Sequence, residues 1–286
     1  MHRTIHDFFS KLGLGTGTLA SWRGGLSAAV AGRLLDVASD SGINLIDTAD
    51  SYASGECERL LGLLLRDRRG RFSIITKVGY VSADVPGPLH LLNPLFKKLK
   101  HRLGARQDFR PDSMARRLQR SLQRLKSDHV DAFLLHDPPA HVLSDGSLFH
   151  ELSKLKAAGL ARRLGISSGD DEALQLALAW PDCDMIQTPL VEDGGLAPSL
   201  RAAKAGRPLI ILNHVSLGGR LPIGCEPQSS ALKKWRESID TSATELGVSP
   251  QAALLRVALE TTGADSVLTG TRDSGHLAEN CRAVLS

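Results

Sequence analysis

The chain has 286 residues, of which 42% are hydrophobic and 23% are charged, and its formal net charge is +4. This composition is ordinary for a soluble globular protein and argues against a disordered or fibrous chain. The four cysteines form no CxxC pair, which predicts reduced thiols, and no group of His and Cys residues has the spacing of metal ligands. No apolar run has the length of a signal-peptide core or a membrane span, so we expect a cytoplasmic protein without a membrane partner.

The positive charge is concentrated between Lys97 and Lys126, where basic residues far outnumber acidic ones. Neither aromatic stacking residues nor a known nucleic-acid-binding module accompanies this basic run. We therefore interpret the run as a solvated helix face and expect no nucleic-acid partner.

Short apolar runs bounded by turns alternate with longer amphipathic segments along the whole chain, which is the pattern of a parallel sheet with crossover helices. The predicted strands are residues 12–15, 43–47, 72–77, 130–136, 163–167, 185–189, 209–213 and 266–269. The predicted helices are residues 26–38, 58–65, 114–125, 148–158, 172–179, 196–205, 252–261 and 277–284. Candidate helix caps are Pro111 to Ser113, Asp170 with Asp171, and Ser249 with Pro250.

Eight such βα units in a chain of this length favour an α/β fold of the (β/α)₈ TIM-barrel type over a doubly wound sheet. We predict one domain spanning residues 1–286. Two connections exceed the usual length, at residues 78–110 and from residue 214 to about 241. Both follow a strand's carboxyl end, so they are candidate substrate-binding loops at the catalytic face.

Chemically informative side chains stand at the ends of consecutive predicted strands. Asp47 ends the second strand, Tyr52 follows five residues later, Lys77 ends the third strand, and His136 ends the fourth. Taken singly, each of these residues commonly has a structural role, as a helix cap, a half-buried side chain or a surface residue. Because the carboxyl ends of barrel strands converge on one mouth, the combination indicates an active site.

These residues suit the reduction of a carbonyl group, which leaves negative charge on an oxygen that must receive a proton. Tyr52 can donate that proton if an adjacent ammonium at Lys77 lowers the phenol pKa from about 10 toward neutrality. Asp47 would keep Lys77 protonated and oriented. His136 would hydrogen-bond the carbonyl oxygen and fix its approach.

At these positions the sequence resembles the aldo-keto reductase family, whose pattern is a strand-ending Asp-Thr-Ala with Tyr five residues later, then Thr-Lys, then Leu-His. The resemblance extends from Gly13-Leu-Gly-Thr to Leu277-Ala-Glu-Asn280. It implies an NADPH-dependent oxidoreductase that reduces a small aldehyde or ketone. It also implies a catalytic tetrad formed by Asp47, Tyr52, Lys77 and His136. Aldehydes, ketones, sugars and quinones stay open as substrates, and no oligomeric state follows.

A strand, a glycine turn and a helix N-terminus between Ser266 and Asn280 predict an anion cradle, and Arg272 adds a cation that suits a 2′-phosphate. The resemblance implies that the adenosine end of NADPH contacts Gly270, Thr271, Arg272, His276, Glu279 and Asn280. It places the nicotinamide beside Ser167, Ser168, Gln187 and Asn213. Ser168 replaces the usual Asn, and Asn213 replaces an aromatic residue that would stack on the ring.

Two alternatives stay open. The stretch Gly165-Ile-Ser-Ser-Gly169 fits the G-x-S-x-G elbow of serine hydrolases, with Ser167 as nucleophile and Asp193 with His214 or His276 as partners. That interpretation leaves the four strand-end residues unexplained. A barrel that binds NADPH as a sensor or accessory subunit would keep the fold without turnover, and the complete tetrad argues against it.

Overall fold

The eight predicted strands form a closed parallel barrel in the computed structural model, which describes residues 9–20, 25–81, 107–191, 193–203, 208–215 and 230–285. The strands are β1 (Leu12–Gly15), β2 (Leu45–Asp47), β3 (Ser73–Val78), β4 (Ala132–His136), β5 (Leu164–Ser167), β6 (Cys183–Thr188), β7 (Leu209–Leu212) and β8 (Ser266–Thr269). Strand β1 pairs with both β2 and β8, which closes the barrel. The predicted (β/α)₈ architecture is confirmed.

The helices lie between and after the strands. Within the described ranges they are α1 (Ala28–Asp40), α2 (Glu56–Leu64), α3 (Pro111–Leu125), α4 (Ser147–Ala157), α5 (Asp171–Leu178), α6 (Pro198–Ala202), α7 (Ser230–Leu246), α8 (Pro250–Thr262) and α9 (Ser274–Leu285). The predicted caps Asp170 and Ser249 are confirmed, because their side chains accept from the backbone of the first turns of α5 and α8. Pro111 is instead the first residue of α3, which begins without a side-chain cap.

The prediction of a loop from residue 214 to about 241 is wrong in its second half, because α7 begins at Ser230. Trp235, Ile239 and Ala243 recur at helical spacing along α7 and are buried in the layer between barrel and helices. Burial of this apolar face against the core explains why the segment is helical. Residues 216–229 lie outside the described residues.

Only the two ends of the other predicted long connection, residues 78–110, lie within the described residues. Tyr80 forms an antiparallel bridge with Gln107, and the Asp108 amide donates to the Gly79 carbonyl at 2.8 Å. These bonds hold the two ends together beside the end of β3. Nowhere in the part of the chain that the structure describes is a helix long and apolar enough to cross a membrane.

Apolar side chains fill the interior of the barrel below the strand ends, and we call them the barrel plug. Its buried members are Leu45, Ile75, Ala132, Leu134, Met185, Leu209, Ile211 and Leu268. Because side chains alternate between the two faces of a strand, the residue two positions after a plug residue points into the same lumen. Polar residues occupy five such positions, namely Asp47, Lys77, His136, Gln187 and Asn213. A polar layer therefore lies directly above the plug.

Gly165 stands where β5 and β6 approach each other closely. A Cβ on this residue would lie 1.7 Å from the Met185 carbonyl oxygen, and the strand register shifts between Leu164 and Gly165. Only glycine fits this position without displacing β6.

We predict that Gly165→Ala lowers the free energy of unfolding by about 2 kcal/mol or more, because the new methyl group collides with backbone. Urea denaturation measures this change. Gly70→Ala is the matched control, since among the described residues no atom beyond its chain neighbours lies within 4 Å of its Cβ position. Its change should stay within about 0.5 kcal/mol. Equal stabilities of the two variants would contradict this account of the barrel.

Candidate active site

The structure brings Asp47, Tyr52 and Lys77 together at the carboxyl ends of β2 and β3. The Lys77 ammonium lies 2.7 Å from the Asp47 carboxylate, 3.2 Å from the Tyr52 hydroxyl and 3.0 Å from the Thr48 carbonyl oxygen. Three oxygens thus accept from one ammonium, which accounts for all three of its N–H groups. Gly17 lies against the Tyr52 ring, where a Cβ would be 3.6 Å from a ring carbon.

Lys77 is 1% exposed, and it is charged because Asp47 lies beside it. Burial by itself would lower the pKa of Lys77, but the Asp47 carboxylate and the Tyr52 oxygen outweigh burial, so the pKa lies above its ordinary value. The amine is therefore an ammonium at neutral pH.

Burial raises the pKa of Tyr52 above its ordinary value near 10, although the Lys77 ammonium acts in the opposite direction. The predicted net lowering of this pKa toward neutrality is therefore wrong, because desolvation of the phenolate outweighs the neighbouring positive charge. Tyr52 consequently holds its proton at neutral pH. A phenol that holds its proton can still act as an acid toward a strong base such as an alkoxide.

His136 ends β4 and faces the same mouth. Its ring meets the Tyr52 ring edge-on, with centroids 5.9 Å apart. Burial lowers the pKa of His136 to about 3, with Lys77 and His214 adding to the effect. A neutral imidazole results, which can donate a hydrogen bond to a carbonyl oxygen from one ring nitrogen.

Three of the four residues expected at the nicotinamide form one hydrogen-bonded network with Asp47. Gln187 donates to Asp47 Oδ1 at 2.8 Å and accepts from the Ser167 hydroxyl at 2.7 Å, while the Asn213 amide donates to Gln187 Oε1 at 3.3 Å. Ser168 is separate, because its hydroxyl accepts from the Asp170 amide at 3.1 Å. Asn213 Oδ1 is buried and has no hydrogen-bond partner among the described residues. This oxygen could accept a hydrogen bond from a carboxamide N–H, such as that of nicotinamide.

The residues expected at the adenosine end surround the turn from β8 to α9. Gly270, Arg272 and His276 are exposed, and in the described part of the chain no atom beyond the adjacent residues lies within 4 Å of a Cβ placed on Gly270. Asp273 Oδ1 accepts from the His276 amide at 2.9 Å, so this helix N-terminus carries its own carboxylate cap. The predicted anion cradle is therefore wrong in one respect, because the backbone N–H of His276 already donates to Asp273 and is not available to an anion.

Glu279 and Asn280 make internal contacts at the same corner. Glu279 accepts from both the amide and the hydroxyl of Ser249, at 2.9 and 3.0 Å, which ties α9 to the start of α8. Asn280 donates to the Thr269 hydroxyl at 2.8 Å. These bonds fix the position of α9 against β8 and α8.

The sequence profile of the Aldo/keto reductase family matches residues 11–286. This chain belongs to the aldo/keto reductase family. Members of the family are oxidoreductases that use nicotinamide cofactors.

Individual relatives of this aldo/keto reductase match over part of their length. Pyridoxal 4-dehydrogenase from Microbacterium luteolum is 32% identical over 191 residues, which cover 60% of this chain and 56% of that protein. The NADH-specific methylglyoxal reductase of Escherichia coli is 29% identical over 187 residues, which cover 62% of this chain and 54% of the relative. The chain spans about half the length of these curated relatives.

A solved structure supports the fold. An aldo-keto reductase from Klebsiella pneumoniae in complex with NADPH is 23% identical, with a TM-score of 0.68, and the match covers 97% of this chain and 87% of that one. At this identity the likeness establishes the fold of the aldo/keto reductase.

Two residues of the aldo/keto reductase mouth escaped the sequence analysis. The Tyr80 ring meets His136 edge-on with centroids 4.9 Å apart, and its hydroxyl donates to Asp137 Oδ2 at 2.9 Å. Asp137 follows His136 and has a left-handed φ of 49°. The sequence did carry one signal for Tyr80, because it is one of two tyrosines in the chain and follows the end of β3 as Tyr52 follows the end of β2.

The hydrolase alternative does not fit the geometry. The Ser167 hydroxyl donates to the amide oxygen of Gln187, which is no base and cannot activate a nucleophile. Asp193 accepts instead from Arg201.

The low pKa of His136 predicts a specific pH dependence of stability. Between about pH 3 and 6.5 the unfolded chain binds a proton at His136 and the folded chain does not, so stability falls as the pH drops through this window. We expect His136→Asn to lose this slope, so that below about pH 6 the wild type loses about 1 kcal/mol more per pH unit than the variant. Urea denaturation across this range checks the result, and parallel curves would contradict the neutral imidazole.

Proposed function

We propose that this protein is an NADPH-dependent oxidoreductase that reduces an aldehyde or ketone to the alcohol. The observation that carries the proposal is the single ammonium of Lys77 within hydrogen-bond distance of both Asp47 and Tyr52. An acid, its charged partner and a neutral imidazole at one mouth are what carbonyl reduction requires.

Each of these side chains has a distinct task in the proposed mechanism. When bound, NADPH supplies the hydride that adds to the carbonyl carbon. His136 donates a hydrogen bond to the carbonyl oxygen and fixes its approach, and Tyr52 transfers its proton to that oxygen as negative charge develops there. Lys77 then stabilises the phenolate of Tyr52, which explains why its ammonium lies against the hydroxyl. Asp47 keeps Lys77 charged throughout.

The same proposal assigns cofactor contacts to the residues predicted from the sequence. Ser167, Ser168, Gln187 and Asn213 would hold the nicotinamide end, with Asn213 Oδ1 as the acceptor that fits its carboxamide. The adenosine end would lie at Gly270, Thr271, Arg272, His276, Glu279 and Asn280. Glu279 and Asn280 would act mainly by fixing α9, since their side chains already bond Ser249 and Thr269.

The preference for NADPH over NADH rests on Arg272, and this point needs its own test because one relative is named as NADH-specific. We expect Arg272→Ala to weaken NADPH binding about tenfold or more, through loss of a charged contact to the 2′-phosphate, and to leave NADH binding within about twofold. Fluorescence titration measures both dissociation constants. The control is Arg282→Ala, an exposed arginine in the last turn of α9, the helix that begins just after Arg272. Equal losses for NADPH and NADH would contradict the assignment of Arg272.

Replacing Tyr52 tests the proposed acid. We expect Tyr52→Phe to lower kcat about 10²-fold or more, the contribution of a positioned general acid, with little change in NADPH affinity. Steady-state kinetics with the best carbonyl substrate and a parallel cofactor titration give both numbers. A variant that keeps the wild-type kcat would rule out Tyr52 as the proton donor.

A sensor or accessory barrel differs from a reductase in one observable. When purified protein, NADPH and a panel of aldehydes, ketones, quinones and keto sugars are mixed, a reductase consumes the cofactor. A sensor would quench the fluorescence of NADPH without consuming it.

A further inference from the structure

The turn that carries Tyr52 has an unfavourable backbone conformation. Ala53 and Ser54 have φ angles of 47° and 56°, and Gly55 follows with 87°. Two consecutive non-glycine residues in the left-handed region are disfavoured because each Cβ approaches the following carbonyl oxygen. Such a conformation persists only where the surrounding structure holds it. The turn is therefore held from outside.

A buried ion pair holds the chain just before the turn. Arg117 of α3 donates to Asp50 Oδ2 at 2.7 Å from Nη2, with Nε at 3.2 Å. The same guanidinium donates to the carbonyl oxygens of Tyr80, Asp108 and Gly79, at 2.8, 2.9 and 3.3 Å. Asp50 precedes Tyr52 by two residues, and its amide donates to the Lys77 carbonyl at 3.1 Å. One side chain thus joins the Tyr52 turn to the end of β3.

A second ion pair holds the chain just after the turn. Arg124, also on α3, donates to Glu58 Oε2 at 2.7 Å, and Glu58 accepts from the Thr76 hydroxyl at 2.6 Å through its other oxygen. Glu58 is fully buried. The Arg124 side chain also lies against Gly55, where a Cβ would be 2.8 Å from its Cδ. The left-handed residue at the end of the turn is therefore covered by this arginine.

The two arginines are seven residues apart, which is two helical turns, so they project from the same side of α3. Arg116 and Arg120 are exposed on the same helix. The interpretation of the whole basic run as a solvated helix face is therefore wrong for Arg117 and Arg124, whose partners are buried carboxylates. Periodicity could not reveal this, because the carboxylates come from the distant residues Asp50 and Glu58.

We propose that Arg117 and Arg124 act as an arginine clamp, a pair of positioning residues that holds the strained turn so that the Tyr52 hydroxyl stays on Lys77. The proposal rests on the proposed function for its catalytic consequence. Arg117 needs the planar fork of a guanidinium, since the three donors of a lysine cannot serve the Asp50 carboxylate and three carbonyl oxygens together. For Arg124, a lysine would have to replace a guanidinium that bonds Glu58 and the Ser121 hydroxyl and also covers Gly55. The clamp touches neither substrate nor cofactor in this account.

The test replaces each clamp residue by lysine and compares it with a matched arginine at the other end of the barrel. Arg69 donates to Asp131, which is 2% exposed, and to the carbonyl oxygens of Phe72 and His129. These partners precede β3 and β4, so Arg69→Lys breaks a similar fork far from the mouth. We expect Arg117→Lys and Arg124→Lys to lower kcat about 10- to 100-fold with KM for the carbonyl within about threefold, as misplaced catalytic groups do. Arg69→Lys should keep kcat within about twofold of the wild-type value, even if its melting temperature falls as much as those of Arg117→Lys and Arg124→Lys.

A purely structural role would give a different pattern. If all three lysine variants, compared at equal folded fraction, kept wild-type kcat or lost it equally, the clamp would be refuted. Chemical rescue adds a second check, because guanidinium ion should restore part of the kcat of Arg117→Ala and none of the kcat of Tyr52→Phe. Absence of rescue in a folded Arg117→Ala protein would count against the clamp.

A spectroscopic measurement separates the clamp from the proposed function. The chain has two tyrosines, so Tyr52 is the one tyrosine left in a Tyr80→Phe background and its ionisation can be followed by ultraviolet tyrosinate absorption. We expect Arg117→Lys in this background to shift the Tyr52 titration by changing the contact with Lys77, and Arg69→Lys to leave it unchanged. An unshifted titration overturns the clamp. A shifted titration in a protein that turns over no carbonyl supports the clamp and refutes the reductase.

Discussion

The buried ion pair between Lys77 and Asp47 is the constraint on which the rest of the site depends. An ammonium that is 1% exposed is costly unless a carboxylate and further acceptors surround it. The structure supplies Asp47, the Thr48 carbonyl and the Tyr52 hydroxyl. The phenol is thus one of the groups that satisfies the buried charge. The stability of the barrel mouth and its chemistry therefore rely on the same contacts.

Closure of the barrel makes this arrangement possible. Gln187 donates to Asp47 across 140 residues of sequence, and Ser167 and Asn213 bond the same amide. Strands from opposite sides of the barrel thereby orient one carboxylate. The barrel plug beneath these residues excludes water from below, so each hydrogen bond of the polar layer lies in surroundings of low polarity, where pairing matters more. A shallow site on an open sheet would lack both features.

The outer layer of the fold contributes in a different way. Helix α3 packs outside the barrel, yet its side chains Arg117 and Arg124 reach the loop that carries Tyr52. The two carboxylates that receive them are buried at the junction of α2, α3 and the strand ends. Asp50 is 6% exposed, and this burial raises its pKa to about 6 against the influence of Arg117. The hydrogen-bonded network inside the barrel and helix α3 outside it therefore position Tyr52 from two sides.

The sequence by itself determined the eight strands, the barrel and the strand-end positions of Asp47, Lys77 and His136, because these follow from period-two and helical patterns that are local to each element. It also predicted Gln187 as a residue beside the nicotinamide, but it did not predict the hydrogen bond from Gln187 to Asp47. The tertiary structure decided what depends on desolvation and on distant partners: the raised pKa of Tyr52, the helix over Ser230–Leu246, the approach of Tyr80 to His136, and the inward orientation of Arg117. Local patterns specify which face of a helix or strand is buried. Which side chain from a distant part of the sequence it contacts is fixed only when the whole barrel assembles.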